Sequence, residues 1–272
     1  MSKKRPEYIH ERFGGQVEQG DVAPYVLLPG SEKRARHFAE FWQVSKQKAH
    51  HYAYLMYSGE MDGIPITTCS TGCGGRSVSI AVDELSALGA HTFIRAGVSG
   101  AIQSSIEVGD IVIASGAVRM DRTSEHYVFT EYPAVADIEV TCALIAAAQM
   151  LKIPYHVGIV ASACTFYLGE GTAGLNGYQH SGMRHITEDM RSAGVLDWDN
   201  ETATLLTLCT LYGLRGGRIN TIVDDPETGT YNPIGEDRLV QTVLQAIRIL
   251  AKWDDQKRIH GKNYVLPSIV NR

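Results

Sequence analysis

The sequence predicts an α/β protein, one domain in which helices cover a sheet, and three observations carry that expectation. Short β-branched or apolar runs alternate with segments of helical periodicity along most of the chain. No internal repeat, low-complexity segment or linker divides it. At 272 residues it is long enough to bury a core without disulfides or a metal.

The elements follow in order. An apolar strand, Val26–Pro29, runs into Pro29-Gly30, and a helix over Glu32–Phe41 starts behind Ser31. Ile64–Cys69 is a second β-branched run, followed by a Gly-rich turn and a helix over Ser77–Leu88, for which Ser77 or Ser79 is a candidate N-cap. Thr92–Ala96 and Asp110–Ser115 read as strands, with a Gly-rich turn from Gly97 to Gly100. A helix over Thr141–Leu151, a strand over His156–Ala161, a helix over Glu201–Tyr212, a strand over Arg218–Val223 and a helix over Glu236–Trp253 complete the alternation. Thr165–Arg191, rich in Gly, His and polar residues, reads as a long loop with little structure of its own, of the kind that serves as a lid or binding loop. The single domain is residues 1–272, with 254–272 as a C-terminal tail that mixes charge with Val265–Val270.

Bulk properties exclude several classes. Hydrophobic residues are 44% and charged residues 20%, ordinary for a globular enzyme. The net charge of -5 leaves no basic stripe for nucleic acid, so an anionic substrate would need local positive charge. The five cysteines are widely spaced with no C-x-x-C pair, so they read as small buried residues, not a zinc site or disulfide framework. The N-terminal MSKKRPEYIHERFGG lacks the apolar stretch of a secretory signal, and no run approaches the roughly 18 apolar residues of a membrane span. A cytoplasmic protein without membrane contact is expected.

Three segments carry chemistry. In Leu27–Arg34 a strand-to-helix turn offers backbone N–H groups to an anion, Gly30 permits close approach, and Arg34 adds a bidentate donor. Such a turn can equally be structural. In Ser70–Gly89 the glycines serve either ligand approach or packing. In Phe93–Gln103, Arg95 ends an apolar strand, where a charge needs either an anionic ligand or a carboxylate partner. Arg34 and Arg95, each at a strand end, would converge on one phosphate at the carboxyl edge of the sheet.

PGSEKR, STGCGGRSVSIAVDELSALG, TFIRAGVSGAIQ, VGDIVIASGAVRMD, EYPAVAD and ASACTFYLGEG occur in the order and spacing of bacterial uridine phosphorylases. From about His10 to about Ala251 the chain thus resembles the nucleoside phosphorylase-I family. The resemblance implies a single α/β domain with a mixed, partly barrel-like central sheet flanked by helices. It implies phosphorolysis of a ribonucleoside to free base and ribose 1-phosphate, with inorganic phosphate as co-substrate and neither cofactor nor metal. It also implies a homo-oligomer, a dimer at minimum and a hexamer built from dimers, in which neighbouring subunits share each active site. Gly30, Arg34 and Arg95 fall at the phosphate positions, and Ser99 lies in the same turn. Glu201 matches the glutamate that holds the ribose 2′ and 3′ hydroxyls, with Asn200 beside it. His10 matches the histidine that reaches a neighbour's ribose 5′-hydroxyl, and Phe166 the aromatic that packs on the nucleoside.

Several positions depart from that pattern. Glu170 and Thr172 replace the Gln and Arg that read uracil, and an ionised carboxylate cannot donate to a uracil carbonyl. Asn176 or Gln179 in the following loop would have to restore such contacts. No Arg occurs in His50–Tyr54, where the neighbouring subunit supplies one, which leaves His50 or His51. Val98 replaces the phosphate-site threonine, and Asp199-Asn200-Glu201 replaces Glu-Met-Glu. Asp224 stands where purine nucleoside phosphorylases carry the aspartate that protonates N7, although it could instead cap a turn in DDPETG. Arg95, Glu201 and Asp224 are the candidate catalytic residues; Phe166, Glu170 and Asp224 are the candidate base site. A uridine phosphorylase-like enzyme is the leading expectation. A purine or modified-base phosphorylase, a nucleosidase using water, and a non-catalytic nucleoside-binding homologue are the alternatives.

Overall fold

Alternation along a single strand sets the layers. Tyr25 and Leu27 of β1 (Tyr25–Leu28) enter one apolar cluster and Val26 and Leu28 another, so both faces of this strand are covered. The computed structural model describes residues 17–225 and 228–264. Next come α1 (Glu32–Glu40), β2 (Val44–His51), β3 (Tyr54–Met61), β4 (Ile64–Cys69), α2 (Gly75–Ala87), β5 (Thr92–Ala101) and β6 (Ile111–Met120). They are followed by β7 (Ala134–Val135), α3 (Ile138–Leu151), β8 (Tyr155–Ala163), α4 (Ile186–Ser192), β9 (Asp197–Asp199), α5 (Thr202–Leu211), β10 (Arg215–Asp224) and α6 (Glu236–His260).

The strands form one mixed sheet in the order β10-β6-β8-β9-β5-β1-β4-β3-β2, with β7 on β6. A further pairing of β10 with β5 closes β5, β10, β6, β8 and β9 into a five-stranded ring. The mixed, partly barrel-like sheet flanked by helices is therefore present. Leu239, Val243 and Trp253 of α6 and Val140 and Leu144 of α3 share one core cluster with Phe38 of α1. Val78, Val82 and Leu85 of α2 pack with Leu205 and Leu208 of α5 on the other side.

Four expectations need correction. β5 continues through Gly97–Gly100 as strand, because it pairs with β10 along its length. Gly97 is small for a packing reason: a Cβ there would lie 2.9 Å from Asn220 Oδ1 on β10. The segment 165–191 is not structureless; it holds 3₁₀ turns at Leu168–Glu170, Leu175–Gly177 and Ser181–Met183 and the start of α4. The tail begins as helix, since α6 runs to His260 and Asp254 pairs with Arg215 at 2.6 Å; residues 265–272 lie outside the described ones. Of the cysteines only Cys69 and Cys209 are buried, while Cys73, Cys142 and Cys164 are exposed. No helix of the described residues is long and apolar enough to cross a membrane.

Candidate active site

At the end of β1 the chain turns through Pro29-Gly30 into α1, and Ser31 caps that helix by accepting from Arg34 N at 3.2 Å. The turn is stitched to the residues after β4: Thr71 N donates to Pro29 O and Gly72 N to Gly30 O. Arg34 is buried, and its Nε donates to Glu236 Oε1 at 2.9 Å. Burial pulls its pKa down and nearby Arg95 adds to this, against the opposing pull of Glu236. Two guanidinium groups thus lie close together out of water, the arrangement an anion would relieve.

Arg95 sits in register with Leu28 of β1. Its Nη2 meets Glu201 Oε2 at 2.7 Å, and its Nη1 donates to Thr71 Oγ1 at 3.0 Å. Gly30 is where a side chain would collide with this group, since a Cβ there would lie 3.2 Å from Arg95 Nη2. Thr71 went unnoticed in the sequence; the signal was its place directly after β4, beside the β1 turn.

The second Gly-rich element serves both packing and site. Gly74, at φ +96°, is the N-cap of α2 and donates its N–H to Glu201 Oε1 at 2.6 Å. Gly75 packs against Thr204 of α5 so closely that no Cβ fits. Neither Ser77 nor Ser79 is the N-cap; their hydroxyls bond to carbonyls of the preceding turn.

Glu201 heads α5, and Asp199 organises that helix start. Asp199 Oδ1 accepts from Glu201 N and Thr202 N, both at 3.2 Å, and from Ser162 Oγ at 2.6 Å. The fully buried Arg218 lies 3.4 Å from Asp199 Oδ2 and 2.8 Å from Asp197 Oδ2. Ser99 belongs to this network and not to the two arginines: its Oγ donates to Asp197 Oδ2 at 2.7 Å. A serine hydroxyl has one proton, so while spent on Asp197 it has none for phosphate.

Asn200 Nδ2 donates to Ala163 O at 2.9 Å and to Glu170 Oε1 at 3.2 Å. Glu170 is pushed up to about 8 by burial; the Asn200 bond opposes this, and the carboxylates of Asp199, Asp224 and Glu201 add to it. The shift runs toward the neutral form, in which a carboxyl can donate as well as accept, whereas the ionised form only accepts. Asp224, at the end of β10 opposite Gly100, also has its pKa raised by burial. Among the described residues it does not cap the turn that follows. That is done by Asp225, which accepts from Thr228 N at 2.7 Å and Thr228 Oγ1 at 3.0 Å.

The sequence-derived residues divide accordingly. Gly30, Arg34, Arg95 and Glu201 come together, Asn200 beside Glu201 bonds Glu170, and Asp224 bears on Glu170 only electrostatically. A cavity of about 480 Å³ opens alongside, lined by Gly74, Gly75, Arg122, Cys164 and Asn200 among others. Phe166 is exposed and meets Tyr167 edge-on at 5.3 Å. His50 Nε2 lies 3.0 Å from Glu32 Oε1. His10 lies outside the described residues.

Residues 24–251 match the model of the Phosphorylase superfamily. The chain is 46% identical to a uridine phosphorylase of Thermococcus kodakarensis over 92% of its own length and 90% of that protein. It is 38% identical to the Escherichia coli uridine phosphorylase, over 84% of its length and 92% of that protein. It is also 34% identical to a guanosine phosphorylase of Halorubrum lacusprofundi, over 86% of its length and 93% of that protein.

Proposed function

The chain belongs to the phosphorylase superfamily, and from that premise we propose that it cleaves a ribonucleoside with inorganic phosphate, releasing free base and ribose 1-phosphate. Phosphate is a co-substrate; no resident cofactor is invoked. The observation that carries the reading is the meeting of Arg34, Arg95 and Glu201 at one strand edge. The two guanidinium groups and the Gly30 N–H take the phosphate, which attacks C1′ from the face opposite the departing base. Glu201 accepts the 2′ and 3′ hydroxyls, with Asn200 alongside, and its charge favours the cationic sugar of an oxocarbenium-like transition state.

The base lies toward Glu170. A neutral carboxyl presents an O–H donor beside an accepting oxygen, which complements a lactam edge such as that of uracil or a 6-oxopurine. Phe166 packs on the nucleoside. Asp224 protonates N7 of a purine leaving group, and its freedom from the Asp225 turn favours this second, purine reading. The similarity to a guanosine phosphorylase points the same way.

The working unit is a cytoplasmic homo-oligomer of single-domain chains, residues 1–272, a dimer at minimum and a hexamer in full, with His10 of one chain serving its neighbour's ribose. The test is a panel of nucleosides incubated with and without phosphate and scored for free base. Base release that needs phosphate supports the reading; equal release without it identifies a nucleosidase; binding without release identifies a non-catalytic homologue.

A further inference from the structure

Arg34 has a carboxylate partner that the chemistry above leaves unused. Its Nε donates to Glu236 Oε1 at 2.9 Å, from the first turn of α6, and the side chains are 10% and 28% exposed. A guanidinium is a planar set of five N–H donors whose edges differ. With Nε held by Glu236, the terminal Nη groups are the edge left for a ligand, and no other hydrogen bond or ion pair engages the Arg34 side chain among the described residues. Burial and the neighbouring Arg95 both work against a charged Arg34, and Glu236 opposes them only in part. One turn along α1, His37 Nε2 pairs with Asp237 Oδ1 at 3.0 Å. Adjacent residues of α6 therefore hold α1 at two points. One contact reaches the anion-binding arginine; the other is peripheral, with Asp237 81% exposed.

We propose that Glu236 is a positioning residue for phosphate: by accepting from Arg34 Nε it turns the Nη edge of Arg34 toward the anion. The inference rests on the phosphate reading of Arg34 and Arg95. What matters is the acceptor atom at that distance, not the negative charge, which by itself would repel phosphate. The arrangement also separates aim from helix docking, because His37–Asp237 joins the same two helices without touching Arg34.

The experiment measures KM for phosphate and for nucleoside, separately, in the full-length protein. Glu236→Ala is expected to raise KM for phosphate about tenfold, the size of one lost charge-assisted hydrogen bond, with nucleoside KM within about twofold. Glu236→Gln keeps an acceptor in place and stays within about threefold of the wild type on phosphate. Glu236→Asp keeps the charge but draws the acceptor back by one methylene, and raises phosphate KM several-fold even if the Ala variant does not fold. Asp237→Asn leaves it unchanged. The proposal is overturned if Gln is as poor as Ala, if Ala and Gln both tighten phosphate, or if Asp237→Asn matches Glu236→Ala. It is also overturned if Arg34→Ala weakens phosphate while every Glu236 variant leaves it alone. If Arg34→Ala itself leaves phosphate KM unchanged, the phosphate reading fails first and takes this inference with it.

Discussion

The Arg95 guanidinium meets the Glu201 carboxylate at 2.7 Å, and both side chains are more than nine-tenths buried. The phosphate candidate and the ribose candidate are thus one ion pair. Removing either partner strands a buried charge, which typically costs about 3–5 kcal/mol of stability. Arg95→Ala and Glu201→Ala should each lower the unfolding temperature and each lose at least about tenfold in turnover, from a missing contact of about 1.5–3 kcal/mol. Because the residues share that contact, the double variant should lose less than the sum of the single losses. Additive losses across the cycle would mean that the pair is not coupled.

A second prediction concerns the interior of the barrel. Arg218 is fully buried between Asp197 and Asp199, and Asp199 in turn holds the backbone N–H of Glu201. Replacing Arg218 with Met leaves two buried carboxyls facing each other, with Asp197 already held up to about 6 by burial. Loss of about 3–5 kcal/mol is expected, together with reduced kcat because the start of α5 loses its anchor. An Arg218→Met variant with unchanged unfolding temperature and full kcat would show that this network neither stabilises the barrel nor supports Glu201.

How far the sequence foretold these features depended on how local each signal was. Ile64–Cys69 matched β4 to the residue, because a β-branched run between turns needs no distant partner to be read. β2 escaped because VSKQKAHH is charged and mostly exposed, with no alternation to betray a strand. Arg34 and Arg95 were visible because a positive charge at the end of an apolar strand or its turn is unusual, whereas Glu201 stood out only through the resemblance of the blocks around it. The partner of the Ser99 hydroxyl was not legible, because Asp197 reaches it only when β5, β9 and β10 close into the ring. Glu236 looked like an ordinary acidic helix start, and only the packing of α6 on α1 gives it a partner.

The third prediction follows from Glu170. Burial lifts its folded pKa to about 8, above the ordinary value of 4.5, so between those limits the folded chain holds more protons than the unfolded one. Stability therefore falls as pH rises through that window and levels off above it, and Glu170→Gln should remove this part of the slope between about pH 5 and 8. If the neutral carboxyl also reads the base, nucleoside KM should rise above about pH 8 in the wild type and stay flat in the Gln variant. A wild-type KM independent of pH to 9 would deny Glu170 that role.

The fourth prediction tests the shared site. If His10 serves the neighbouring ribose, a monomer is inactive and the smallest active species is a dimer. His10→Ala and Glu201→Ala, each impaired alone, should regain partial activity when mixed and allowed to exchange, since some sites then carry both native residues. Confirmed exchange without recovery would place His10 outside the site.

The last prediction concerns the base. Asp224 has its pKa raised by burial, and among the described residues its carboxyl makes no hydrogen bond, the turn being capped by Asp225 instead. That leaves it available to protonate N7, without which a purine departs as a poor anion; positioned proton transfer typically contributes about 10²–10⁴-fold. Uracil has no N7, so the same substitution should be nearly silent for uridine. Asp224→Asn should therefore lower kcat for inosine and guanosine by at least about a hundredfold and change uridine by less than about threefold. Burial raises this acid, so wild-type purine turnover should persist above the ordinary carboxylate range and then decline as pH rises through the shifted pKa. Efficient uridine cleavage, negligible purine cleavage and no effect of Asp224→Asn would remove the purine reading and leave a pyrimidine enzyme whose base is read through Glu170.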